Sequence, residues 1–119
     1  MALSDTDKGI VAGLLVTQGS FGGDGRQPQI SLKLHTRHEA LMRRLVEWFP
    51  RTRLYGPYHH GDREFFQWMA RGRALVDEVL PALDEAGLAD LDPHAAERLS
   101  LMRERYAEFI ARAQRRSAA

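Results

Sequence analysis

The sequence contains no cysteine in its 119 residues. This excludes a disulfide framework, a thiolate nucleophile and thiolate metal sites. Lysine is scarce as well. Lys8 and Lys33 are the only two, every other basic side chain is arginine, and a GC-rich bacterial genome would produce such a bias. Long apolar runs are missing: the longest, Ile10 to Val16, includes Gly13 and falls far short of the roughly 20 residues needed to cross a bilayer. A membrane span is excluded on this ground. No basic and apolar export signal stands at the N-terminus, so a cytoplasmic location is expected.

A chain of this length, 44% hydrophobic, is expected to form one domain over residues 1–119 around a real core. The net charge of +1 hides a segregation. Ser20 to Arg73 carries ten Arg and Lys against five Asp and Glu, whereas Ala74 to Ala95 carries six acids and no Arg or Lys. Such a division favours a polyanion on one surface.

Ser4 and Asp7 have the spacing of a helix N-terminus, and Ile10, Val11, Leu14 and Leu15 recur at helical intervals before Gly19 ends the element. Gly9, Gly13 and Thr17 form a ladder of small residues along another face. Each glycine costs roughly 1 kcal/mol of helix stability, so the ladder predicts close approach of a second helix. An extended segment begins at Gly19, and Gly22 to Gly25 make a turn, since no helix follows them of the kind a phosphate loop requires.

From Gln29 the residues alternate. Ile30, Leu32 and Leu34 lie on one side and Ser31, Lys33 and His35 on the other, as in a half-buried strand. Thr36 and Glu39 predict a capping box opening a helix with Leu41, Leu45, Trp48 and Phe49 inward, stopped by Pro50. Arg51 to Tyr58 and Arg63 to Arg71 read as two strands joined around His59, His60, Gly61 and Asp62; on extended backbone the two histidines point apart, which disfavours a metal cluster. In the second of these strands Phe66, Trp68 and Ala70 are placed inward and Gln67 and Arg71 outward. Ala74 to Glu85 is expected to be helical with a kink at Pro81, and Asp92 with Pro93 opens one last helix carrying Leu99, Met102, Tyr106 and Ile110. Arg115 to Ala119 is expected to fray.

The stretch from Val11 to Phe21, reading V-A-G-L-L-V-T-Q-G-S-F, resembles the signature helix of the LAGLIDADG homing endonucleases, with A-G-L intact at Ala12 to Leu14 and G-S-F at Gly19 to Phe21. The order of elements resembles that family over almost the whole chain. The resemblance implies an α+β saddle, α-β-β-α-β-β-α with an antiparallel four-stranded sheet and a C-terminal helix. It also gives the ladder a use: two signature helices pack along a two-fold axis, so a chain with one motif implies a homodimer through Gly9, Gly13 and Thr17. A helix of the same chain packed on the ladder is the alternative.

In the family the last acid of the motif brings a carboxylate to a divalent metal at the scissile phosphate. Gln18 stands in that position here, Val16 replaces the earlier acid, and no lysine occurs between Leu88 and Pro93, where the family often has a basic residue. An amide is a poor sole ligand for a hard cation such as magnesium. No metal or other cofactor is therefore expected, with Mg²⁺ required only if the chain cuts DNA. Asp24 and Asp62 are alternative carboxylates, although nothing in their spacing supports them. If the sheet is the DNA-facing surface, its readers are Ser20, Gln29, Ser31, Lys33, His35, Arg51, Arg53, Tyr55, Gln67 and Arg71, of types that contact base edges or phosphates. The reading that follows is a homodimer that binds duplex DNA without cutting it. A working metal-dependent endonuclease and a protein-interaction module are the alternatives.

Overall fold

The computed structural model describes residues 3–118. Helix α1 (Asp5–Gln18) opens with a complete capping box: the Ser4 hydroxyl accepts the Asp7 N–H at 3.0 Å and the Asp7 carboxylate accepts the Ser4 N–H at 3.2 Å. It leads directly into β1 (Gly19–Gly23), which pairs with β2 (Pro28–His35). After a 3-10 turn (Thr36–His38) come α2 (Glu39–Trp48), β3 (Arg53–His60) and β4 (Arg63–Arg71). The four strands form one antiparallel sheet in the order β1-β2-β4-β3.

The alternation seen in β2 and β4 decides which side of the sheet the helices cover. Ile30, Leu32, Phe66, Trp68 and Ala70 are buried and share one core with Val11, Ala12 and Leu15 of α1 and Met42, Leu45 and Phe49 at α2. Leu41 and Trp48, expected inward, are half-buried, and Met42 takes the central place. Within this core the Trp68 indole N–H donates to the Thr52 hydroxyl at 2.8 Å, and that hydroxyl donates to the Phe49 carbonyl at 2.6 Å. A buried indole needs such an acceptor, and Thr52 is the buried polar residue that supplies it.

Several expectations are corrected. Thr36 and Glu39 make no capping box; the His35 imidazole accepts the Arg37 N–H instead, and Glu39 pairs with Arg43. β3 begins at Arg53, leaving Arg51 in the preceding turn. Helix α3 runs continuously through Gly72–Ala74, Leu75–Val79 and Leu80–Glu85. Its deformation is a π turn over Leu75–Val79, ahead of Pro81 rather than at it, since proline lacks the N–H for the upstream carbonyl and widening the preceding turn accommodates the ring.

A short helix α4 (Leu88–Leu91) was not expected, and the expected last helix is two, α5 (Pro93–Arg105) and α6 (Ala107–Ala118). They break at Tyr106, whose hydroxyl accepts the Gly25 N–H at 2.9 Å; a methyl group at Gly23 would overlap that hydroxyl. The tail is helical to Ala118, where the Ser117 hydroxyl donates to Asp77 at 2.7 Å, and Ala119 lies outside the described residues. No helix among the described residues is long and apolar enough to cross a membrane.

Candidate nucleic-acid interface

No helix among the described residues covers the other side of the sheet, and the strand register assembles it row by row. Gly22, Gln29 and Arg71 lie side by side, then Ser20, Ser31, Met69 and Arg53, then Lys33, Gln67 and Tyr55. Beyond Tyr55 a bulge resets β3, so that Tyr58 joins Phe65 and His35, and His60 joins Arg63. Gly56 makes this possible with φ +112°, a conformation that side chains with a Cβ rarely adopt.

Of the ten residues expected to read DNA, the fold brings nine to this one face: Ser20, Gln29, Ser31, Lys33, His35, Arg53, Tyr55, Gln67 and Arg71. Arg51 stands at its rim. Phe65 and Met69 share the face and escaped the sequence reading because β4 is apolar on both sides; strict alternation from Gln67 would have found them.

The charge of the face is one-sided. Lys33, Arg53, Arg63 and Arg71 point outward, no outward strand position holds an acid, and none of these four makes an ion pair with a described residue. Glu64, the one acid in the strands, belongs to the opposite parity and lies 3.2 Å from the His59 imidazole. Along one side of the face Gln27, Arg51, Arg53, Tyr55, Met69 and Arg71 line a concavity of about 250 Å³, where an Arg71 N–H donates to the Tyr55 hydroxyl at 3.4 Å.

Arg51 is committed elsewhere. Its guanidinium donates to Asp77 at 2.9 Å and to Glu78 at 3.2 Å, and these carboxylates hold it in its charged form. Burial alone would raise the Asp77 carboxyl; hydrogen bonds from Arg51 and Ser117 outweigh it and leave Asp77 below the usual carboxylate range. Other acids of the Ala74 to Ala95 segment act likewise, Glu85 on Lys8 and Asp84 on Arg103. The acidic segment is therefore largely an internal counter-charge for arginine and lysine.

The end of α1, Val16-Thr17-Gln18, carries no acid that could hold a divalent metal. Gln18 is exposed there, and no group of three or more His, Asp or Glu able to hold a metal occurs among the described residues. Just past it an Arg98 N–H donates to the Gly19 carbonyl at 3.1 Å, with the guanidinium 4.9 Å from the centre of the Phe21 ring. A cation suits the negative end of a helix dipole and opposes a second cation beside it. With an amide as its last side chain and a guanidinium on the following carbonyl, this helix end does not fit a hard metal ion.

Asp24 is used locally: its carboxylate accepts the Gln27 and Arg26 N–H groups at 2.9 and 2.8 Å, which lower its pKa. Asp62 sits in the β3–β4 turn, with no metal-holding group around it. On α1, no atom of another element among the described residues lies within 4 Å of where a side chain would begin at Gly9 or Gly13, so no helix of the described chain packs on this ladder. Thr17 continues the ladder, exposed, its hydroxyl donating to the Gly13 carbonyl at 2.9 Å.

No protein-family model and no curated protein sequence matches the chain. Solved structures do. The group I intron-encoded homing endonuclease I-CeuI complexed with DNA matches with a TM-score of 0.70 at 16% identity, over 87% of this chain and 55% of that one. The LAGLIDADG homing endonuclease I-GzeII in complex with its DNA target matches with a TM-score of 0.55 at 17% identity, over 87% and 40%. The homing endonuclease I-TnaI matches with a TM-score of 0.52 at 15% identity, over 98% and 99%. The chain thus spans about half the length of the first two and nearly the whole of the third. It has the LAGLIDADG homing endonuclease fold.

Proposed function

We propose that this chain descends from LAGLIDADG homing endonucleases, binds duplex DNA through the outward face of its sheet as a homodimer, and does not cleave it. The observation that carries the reading is the acid-free face with four unpaired cations, set on a fold whose neighbours I-CeuI and I-GzeII are complexed with DNA. Arginine and glutamine on the strands supply base-edge partners, and lysine and serine supply phosphate partners. The open ladder on α1 supports a second copy packed helix to helix, which would bring two such faces to one duplex. Gln18, with Val16 two residues earlier and Arg98 behind the helix end, supports the loss of cutting. A cysteine-free, arginine-rich chain suits a bacterial cytoplasm.

The test is selection of binding sites from random duplex, followed by affinity measured against salt. Each neutralised phosphate is expected to contribute about −0.9 to the slope of log affinity against log salt, and the selected duplex is expected to stay intact with magnesium or manganese. Affinity that ignores salt would remove DNA as the partner and favour a protein-binding face. Specific cleavage abolished by Gln18→Ala would restore the endonuclease. For the dimer, Gly13→Leu forces the two helices apart; sedimentation is expected to give a folded monomer or an insoluble chain, and an unchanged dimer would refute the α1 contact.

A further inference from the structure

An outward sheet face whose task was only to hold phosphates would be uniformly polar, and this one is not. β4, one of the two central strands, sets Phe65 and Met69 on the outward side of the sheet, half-buried. The Phe65 ring lies 5.5 Å from the Tyr58 ring and 5.6 Å from the Lys33 ammonium. Met69 stands between Ser31 and Arg53 in the register and lines the concavity shared by Arg53 and Arg71. Both apolar side chains are therefore flanked by cations and polar groups, one on each side of Gln67. No outward strand position there holds an acid, and this complements a polyanion better than an apolar protein surface.

On the DNA-binding reading above, we infer that Phe65 and Met69 recognise thymine through its C5-methyl group in the major groove. Of the groups that base edges present there, the thymine methyl is the apolar one, and apolar side chains are its usual partners. The spacing is definite. Residues on one side of a strand are about 6.7 Å apart, so Phe65 and Met69 are about 13 Å apart with Gln67 midway. At about 3.4 Å per base pair this corresponds to two thymines roughly four pairs apart along the groove. Gln67 falls between them, opposite an adenine edge, and Arg53 and Arg71 flank the Met69 position where guanine would supply acceptors.

The experiment uses the wild-type protein and its selected duplex. Each thymine is replaced in turn by deoxyuridine, which removes only the methyl group, and the affinity is measured at one salt concentration. The expected result is a loss of about three- to tenfold at two positions per half-site, roughly four pairs apart, and near-indifference elsewhere. Phe65→Ala is expected to abolish the uracil sensitivity at one position and Met69→Ala at the other, with the salt slope unchanged. Because the uracil series needs no variant, it stands even if one of these fails to fold.

Equal tolerance of uracil at every thymine, in a protein that still binds DNA with a salt slope, would overturn thymine reading and leave the DNA-binding reading intact. Sensitivity that survives both substitutions would also overturn it, as would a selected site without thymines at this spacing. Absence of salt-dependent binding would overturn both readings together. Restoration of a lost methyl contact by 5-methylcytosine placed at the same position would support it, since the group recognised is the methyl.

Discussion

The two sides of β4 belong to one strand and obey opposite rules. On the inner side Phe66, Trp68 and Ala70 are packed against helices, and the polar group of Trp68 ends on a named acceptor. On the outer side Phe65, Gln67, Met69 and Arg71 keep their functional groups open or lightly held, with a single 3.4 Å hydrogen bond from Arg71 to Tyr55. Because residues of alternating parity never exchange sides, substitutions on one side should leave the property of the other untouched.

The sharpest way to test this contrast is from within. Trp68→Ala empties the largest fully buried side chain of the core and is expected to cost about 3–5 kcal/mol in urea unfolding. Thr52→Val keeps the shape but leaves the Trp68 indole N–H without an acceptor, for an expected loss of about 1–3 kcal/mol. A fully stable Thr52→Val would mean that the inner side does not depend on this hydrogen bond. From the outer side, Arg53→Ala is expected to weaken DNA binding by about 1–3 kcal/mol if it reads a base. Its unfolding free energy should stay within about 0.5 kcal/mol of the wild type. A parallel loss of stability would break the comparison.

The smallest effect belongs to the rim, where Arg51 joins the sheet to α3. The Asp77 carboxyl is lowered in the folded chain, so its contribution to stability is complete above the unfolded carboxylate value and is lost as pH falls through the lowered folded one. Thermal unfolding between pH 5 and pH 2 is expected to show a loss of the size of an exposed ion pair, about 0.2–1 kcal/mol. Asp77→Asn should abolish that dependence, and its persistence would assign it to another carboxylate.

The sheet was legible because one side of it is buried: period-two alternation in Gln29 to His35 and Gln67 to Arg71 is written by burial itself, and it put Gln29, Ser31, Lys33, His35, Gln67 and Arg71 on the one face where the register has them. α1 was legible for the same local reason, with its cap and its motif adjacent in sequence. What escaped depends on contacts distant in sequence. Arg51 looked like a strand cation because its partners Asp77 and Glu78 lie in another element. The break at Tyr106 is invisible in an apolar stripe that continues past it, and the partner of its hydroxyl, Gly25, lies far away in the chain. Arg98 carried no signal at all, its meaning arising from the Gly19 carbonyl and the Phe21 ring. The capping box at Thr36 failed because the competing acceptor, the His35 imidazole, sat one residue earlier.

The hydrogen bond from the Gly25 N–H to the Tyr106 hydroxyl has a consequence for redesign. It moors the β1–β2 turn to the junction of α5 and α6, and Gly23 has no room for a side chain beneath it. Lengthening that turn would have to tear the mooring before it could present new residues to a target. Libraries built on this fold should therefore leave residues 23–27 as they are and spend their diversity on the outward strand positions, which take no part in this mooring.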